Sequence, residues 1–258
     1  MSARVRLALI LAVVSVAAAA CSAVSAPPAG PPVRPNGPDP LYVAVGASET
    51  VGVGVPDPLR QAWPALFFRE TLPASARFVD LGVPGITVSD ALTQEVPAAV
   101  SLHPDLVTVW LNVNDLIAGV TPAAYGRELT ELLQELRRGG ATQVLVANTP
   151  PVQAFPAYRD CLPFLPTSDG CDTSQRAPAP AAVAATVAAY NAAITTAAAD
   201  TGCHVVDLYG TAARLVRAGT FDSIIGADNF HPNAAGYRLV ARLFARAYAS
   251  LGASPGSP

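Results

Sequence analysis

The 258-residue sequence has no lysine; all 16 of its basic residues are arginine. It has one methionine, two tryptophans and three histidines, and only 14% of its residues are charged. Each scarcity excludes something. Arg4 and Arg6 sit at the extreme N-terminus, so from Cys21 onward 14 arginines face 19 acids, a net charge of −5. Nucleic-acid binders present a basic face, and this balance argues against one. The four cysteines are Cys21, Cys161, Cys171 and Cys203. No Cys/His pair has finger or ribbon spacing, so no metal site is expected, and no cofactor. With so few histidines, a general base can be sought by elimination.

Long hydrophobic runs are also scarce. One opens the chain, "MSARVRLALILAVVSVAAAAC", with Arg4 and Arg6 ahead of an uncharged run of small and aliphatic residues. By pattern 1–20 is a secretory signal, too short for a comfortable membrane span. The "AAAC" before the break resembles a bacterial lipobox, which would place a diacylglyceryl group on Cys21. It departs from that pattern at Ala18, and plain signal-peptidase cleavage is the alternative. Residues 21–40 are dominated by Pro, Ala, Gly and Ser, the composition of an extended tether. A folded domain is expected over 41–252 and a short tail over 253–258. The expected setting is outside the cytoplasm, as an envelope lipoprotein or a secreted monomer, with membrane contact only through the anchor. There a disulfide between Cys161 and Cys171 is the natural reading, contributing about 3 kcal/mol at most. Cys203 reads as a buried thiol.

What remains is 51% hydrophobic overall, enough for one large α/β domain. Strands are expected at 41–46, 77–81, 106–111, 143–147 and 204–208. Helices are expected at 57–70, 88–100, 122–138, 180–200, 211–218 and 233–251. Strands that read as continuous apolar runs are buried on both faces, and their alternation with helices predicts a parallel three-layer α/β/α sheet. Functional groups then gather at the carboxyl ends of the strands. The uncharged stretch 177–199 raises the question of a span. Its large apolar residues, Val183, Val187, Tyr190 and Ile194, form one helical stripe, so an amphipathic surface helix is expected. The Pro-rich connection 149–179 carries Phe155, Tyr158, Leu162, Phe164 and Leu165. It reads either as an ordered flap beside the site, with Phe155 and Tyr158 on the substrate, or as a stapled surface loop.

Among the histidines, His103 precedes a proline at a strand entrance, and His204 opens an apolar run. His231, in "ADNFHPNAAGY", alone has an aspartate, Asp228, three residues upstream. Such an acid can reach the imidazole Nδ1–H, fix the tautomer and stabilise the imidazolium. A helix-capping loop is the structural alternative. A partner nucleophile is offered by "YVAVGASETVGVGV": Ser48 stands just past the first strand, where a serine could equally cap a helix. In "VTVWLNVNDLIAG", Asn112, Asn114 and Asp115 follow a strand directly, as oxyanion donors or as Asx turns. In "VDLGVPGITVSDAL", Gly82 and Gly85 follow another strand, and glycine lets a backbone N–H approach a ligand closely.

These four pieces, in this order, resemble the blocks of the GDSL or SGNH hydrolase family. "AVGASETVG" is similar to the first block, placing Ser48 as nucleophile. "LGVPGITV" is similar to the second, with Gly85 as backbone oxyanion donor beside the Ser48 amide. "LNVND" is similar to the third, G-x-N-D, with Asn114 as side-chain donor. "DNFHPNAAGY" is similar to D-x-x-H-P, with Asp228 and His231 completing a triad. Two blocks depart: Ala47 and Glu49 replace the Asp and Leu around the serine, and Asn112 replaces the Gly of G-x-N-D, where it could contact substrate. The resemblance implies a flavodoxin-like five-stranded parallel sheet and a serine hydrolase acting on small-molecule or lipid carboxylic esters. The alternatives are a non-catalytic extracytoplasmic binding lipoprotein on the same fold, or an acyltransferase.

Overall fold

A computed structural model describes residues 39–161 and 177–251. The signal, residues 21–38 of the tether, the tail, Leu162, Phe164, Leu165 and Cys171 lie outside the described residues, and with them the lipid anchor on Cys21 and the Cys161–Cys171 bridge. Five strands form one parallel sheet: β1 (Leu41–Gly46), β2 (Arg77–Asp80), β3 (Leu106–Trp110), β4 (Gln143–Ala147) and β5 (His204–Val206), in the order β2-β1-β3-β4-β5. The expected flavodoxin-like α/β/α architecture is the one observed. β1 and β3 are buried at every residue, which is why their sequences are unbroken apolar runs.

Alternate residues of each strand serve opposite faces. Leu41, Val43 and Val45 join Val107, Val109, Val144 and Val146 in an aliphatic core under two helices, Pro122–Arg137 and Pro180–Thr201. Tyr42 and Ala44 join Leu106, Trp110 and Leu145 in an aromatic core closed by the helices Trp63–Thr71 and Ala234–Leu251. There Trp63 stacks on Phe244 with ring centroids 4.1 Å apart. The Pro180–Thr201 helix is long and apolar enough to cross a membrane by length and composition. Its stripe of Val183, Val187, Tyr190 and Ile194 is buried as its spacing predicts, and Tyr190 stacks on Tyr125 of the neighbouring helix.

The helices expected at 57–70 and 88–100 are each broken in two. The first becomes Pro58–Gln61 and Trp63–Thr71, the second Val88–Gln94 and Val96–Ser101. Pro64 and Pro97 explain the breaks: each removes an N–H donor, and its ring excludes the carbonyl four residues back. Three short helices were not anticipated, Ser48–Val51, Val113–Ile117 and Pro156–Asp160. The first two begin within three residues of a strand end, too short to show a period. The helix expected at 211–218 starts earlier, at Leu208, because the Asp207 side chain accepts the Gly210 N–H and caps it.

β2 and β3 lie on opposite sides of β1, so the chain direction across the sheet reverses there. A crevice at the carboxyl ends of the strands follows at this switch point. Ser48 leaves β1, Gly85 follows β2 and Asn114 follows β3, so three of the sequence candidates border that crevice.

Candidate active site

Ser48 opens the short helix Ser48–Val51 two residues past the end of β1 and is buried. Its side chain does not cap the helix. Ser48 Oγ lies 2.9 Å from His231 Nε2, and His231 Nδ1 lies 2.7 Å from Asp228 Oδ2. The structure therefore brings Ser48, His231 and Asp228 together across 183 residues of sequence.

The segment bearing His231 has no regular secondary structure and is held by polar bonds. Asp228 Oδ1 accepts the N–H groups of Phe230 (3.0 Å) and His231 (2.9 Å), and Gly226 N–H donates to the His231 carbonyl (2.7 Å). Asn233 donates to the carbonyls of Ser223 and Ile225, while its Oδ1 accepts the Ala235 and Gly236 N–H groups and caps the last helix. Partial burial pushes the Asp228 carboxyl up, but the hydrogen bonds from Phe230 and His231 outweigh it and hold it below its ordinary value. That favours the ionised form that an imidazole partner needs. Gly54 passes against the histidine: at φ +97 it sits where a Cβ would come within 3.1 Å of His231 Cβ.

Across the crevice, the loop after β2 carries Gly85 at φ +81, with open space where a Cβ would stand. Neither the Gly85 nor the Ser48 N–H has a hydrogen-bond partner among the described residues. Asn114 Nδ2 donates to the Ile86 carbonyl (3.0 Å), tying the β3 end to the Gly85 loop and leaving its second N–H. Three acids hold the same loop, Asp115 and Glu95 from buried positions and Asp80 from an exposed one. Asp115 accepts the Val88 N–H with both oxygens (3.1 and 3.3 Å), and Asp80 accepts the Gly82 N–H (2.9 Å). Glu95 Oε2 accepts the Gly46 N–H at the tip of β1 (3.1 Å), and the Gly46 carbonyl in turn accepts the Val83 N–H (2.9 Å). Burial raises all three carboxyls, Asp80 and Asp115 to about 6 and Glu95 to about 8, against the pull of these N–H donors.

Beneath the His231 segment lies an apolar cavity of about 50 Å³, walled by Trp110, Phe155, Leu208, Phe221, Phe230 and Leu243 among others. Phe155 is one wall of this cavity. Tyr158 does not line this cavity; its hydroxyl donates to the Pro178 carbonyl. Asn112 does not line it either: it is 2% exposed and its amide donates to the Ala147 carbonyl (3.3 Å), satisfying the end of β4. Cys203 is a buried free thiol at the start of β5. No cluster of metal-ligating side chains exists among the described residues.

Sequence reasoning singled out Glu49 only as a departure beside Ser48, and it missed Glu95 and Asp80 as parts of this region. The only signal was position: each acid sits next to an apolar run rather than on a polar face.

The profile of the GDSL-like Lipase/Acylhydrolase family matches residues 44–239. No curated protein sequence matches the chain. Among solved structures, the lipase/acylhydrolase of Enterococcus faecalis is 22% identical with a TM-score of 0.59, covering 85% of this chain and 100% of its own. A variant of an acetyl-xylooligosaccharide esterase from Geobacillus is 20% identical with a TM-score of 0.60, over 80% and 93%. The esterase EstA of a Pseudoalteromonas species is 14% identical with a TM-score of 0.59, over 84% and 100%. At these identities the structural likeness speaks for the fold, and the profile, which spans most of the chain and every strand, speaks for the lineage. The chain belongs to the GDSL-like lipase/acylhydrolase family and is an ester-hydrolysing enzyme of it.

Proposed function

We propose that hydrolysis proceeds through an acyl-enzyme on Ser48, with His231 as general base and Asp228 as its orienting acid. The observation that carries this reading is the unbroken hydrogen-bonded run from Asp228 through both ring nitrogens of His231 to Ser48 Oγ. His231 Nε2 takes the Ser48 proton as Oγ attacks the ester carbonyl carbon. Negative charge then collects on the carbonyl oxygen, where the Ser48 and Gly85 amides and the Asn114 side chain donate. The tetrahedral adduct collapses, the bond to the alcohol oxygen breaks, and His231 gives that oxygen its proton. Water, deprotonated by the same nitrogen, attacks the acyl-Ser48 ester and releases the acid. Asp228 stays ionised throughout and steadies the imidazolium.

The small apolar cavity beside Phe155 supports a short acyl or alcohol group rather than a long chain. A series of p-nitrophenyl esters of rising chain length, run beside acetylated oligosaccharides, tests this; a preference for long acyl chains overturns it. Export and tethering through Cys21 belong to the same proposal and rest on the N-terminal pattern; the mass of the Cys21 peptide from the purified envelope protein checks them. The mechanism itself is tested with a fluorophosphonate probe. Intact protein should be phosphonylated on Ser48, and Ser48→Ala should not. Equal labelling of the two proteins sinks the assignment.

A further inference from the structure

Glu49 follows the proposed nucleophile directly and is only 7% exposed. Its Oε2 lies 3.4 Å from Ser48 Oγ, a long contact beside the 2.9 Å one to His231. Among the described residues it is the only ionisable side chain lining the apolar cavity. No arginine pairs with it: the ion pairs among the described residues are Arg60–Asp57, Arg159–Asp222 and His231–Asp228. An apolar side chain would fill this space without the desolvation that a carboxyl suffers there.

Ser48 has one proton and two acceptors within reach. When Glu49 is a neutral acid, it can be the donor, and the Ser48 proton points to His231 Nε2. When Glu49 is a carboxylate, it competes for that proton and places a negative charge beside the oxyanion that Ser48 generates. Resting on the Ser48–His231 reading, we propose that Glu49 touches the reacting hydroxyl as a neutral acid, and that its ionisation switches the nucleophile off.

The groups facing Glu49 are few, so the titration can be attributed. Burial pushes its carboxyl up, and the attraction of His231 and the contact with Ser48 oppose that rise. From the loop come His231 and Asp228. From the Ala234–Leu251 helix comes Tyr237, whose phenol is raised by burial and by the charges of Glu49 and Asp228, so it stays neutral. The remaining cavity wall, from β3, the Leu208–Arg217 helix and the Phe221–Ile224 turn, is not ionisable. Rates then fall as Glu49 loses its proton, by about tenfold per pH unit on the steep part of that limb.

The test is kcat/KM for a p-nitrophenyl ester from about pH 5 to about pH 10 in wild type, Glu49→Gln and Glu49→Leu. Wild-type activity should fall toward the alkaline side, and both variants should lose that descending limb. A descending limb at an unchanged midpoint in either variant overturns the proposal. The pH dependence of Ser48 phosphonylation in wild type needs no variant to fold, and a plateau across the alkaline range also overturns it. If Ser48→Ala still hydrolyses the ester, the underlying serine reading has failed instead, and the two failures are distinguishable.

Discussion

Ser48 and His231 arrive at the same hydrogen bond from opposite kinds of backbone. Ser48 is delivered by β1, every residue of which is buried and whose register is pinned on both sides, Val43 against Val79 and against Val107. His231 is delivered by a partly exposed segment in which Ala227, Asp228 and Asn229 face solvent. One arm is positioned by close packing, which resists displacement because the interior has no spare volume. The other is positioned by hydrogen bonds to Asp228, Gly226 and Asn233. The difference teaches that rate and stability should separate by arm: damage to the loop should slow catalysis in a well-folded protein, and damage to the strand should soften the fold and spare the chemistry.

The largest expected effect lies on the loop. Asp228→Asn keeps a side chain that can accept the Phe230 and His231 N–H groups but removes the charge beside Nδ1. The imidazole can then adopt the wrong tautomer, and kcat/KM should fall by about 10⁴. Thermal melting should move by no more than a few degrees. A loss of activity accompanied by a collapse in Tm would erase the distinction between the arms.

Asn233→Ala is the next test. It removes a helix cap, at a cost of about 1 kcal/mol, and both bonds that fasten the loop to the Phe221–Ile224 turn. A looser His231 should lower kcat by about tenfold while KM holds, since displacements of this kind act on the reacting geometry. Full activity in this variant would mean that Asp228 alone positions the histidine.

Val43→Ala probes the other arm. Val43 is fully buried in the aliphatic core, and loss of its methyl groups should cost about 2 kcal/mol, on the order of 4–8 °C in Tm for a domain of this size. Its kcat/KM at room temperature should stay within about twofold of wild type. A large rate loss would show that strand packing reaches the reaction directly.

The same contrast explains what could be read from the sequence. β1 and β3 were legible because burial on both faces leaves an uninterrupted apolar run. Asp228 and His231 were legible because their contact is local, three residues apart. Ser48 drew its meaning only from that pair. Pro64 and Pro97 were visible, but the apolar periodicity on either side hid the breaks they cause. The direction of a single side chain was not legible. Asn112 at a strand end could have faced the crevice as Asn114 does, and instead it turns to the β4 carbonyl. Burial of acids was hidden for a different reason: an acid in sequence reads as solvated, and Glu95 is inside because the tip of β1 presents the Gly46 N–H, which needs an acceptor.

Glu95 is therefore the polar exception within the packed arm, and it gives the smallest effect and the sharpest sign. Its carboxyl is raised to about 8 by burial, above the ordinary value of 4.5 that holds in the unfolded chain. The folded state therefore binds the proton more tightly, and its stabilisation is complete below about pH 4.5. It is lost progressively as pH rises through the window to about 8 and does not change beyond it. Glu95→Gln keeps an oxygen for the Gly46 N–H and cannot ionise. Wild-type Tm should decline from about pH 5 to about pH 8, and the Glu95→Gln variant should decline less, so that the two curves diverge toward the alkaline side. Since Glu95 touches only the supports of Gly85 and Ser48, kcat/KM near neutral pH should change by no more than a few fold. Parallel Tm curves would mean that Glu95 is ionised in the fold across this range, and that the strand arm, like the loop, is held at its tip by a charge.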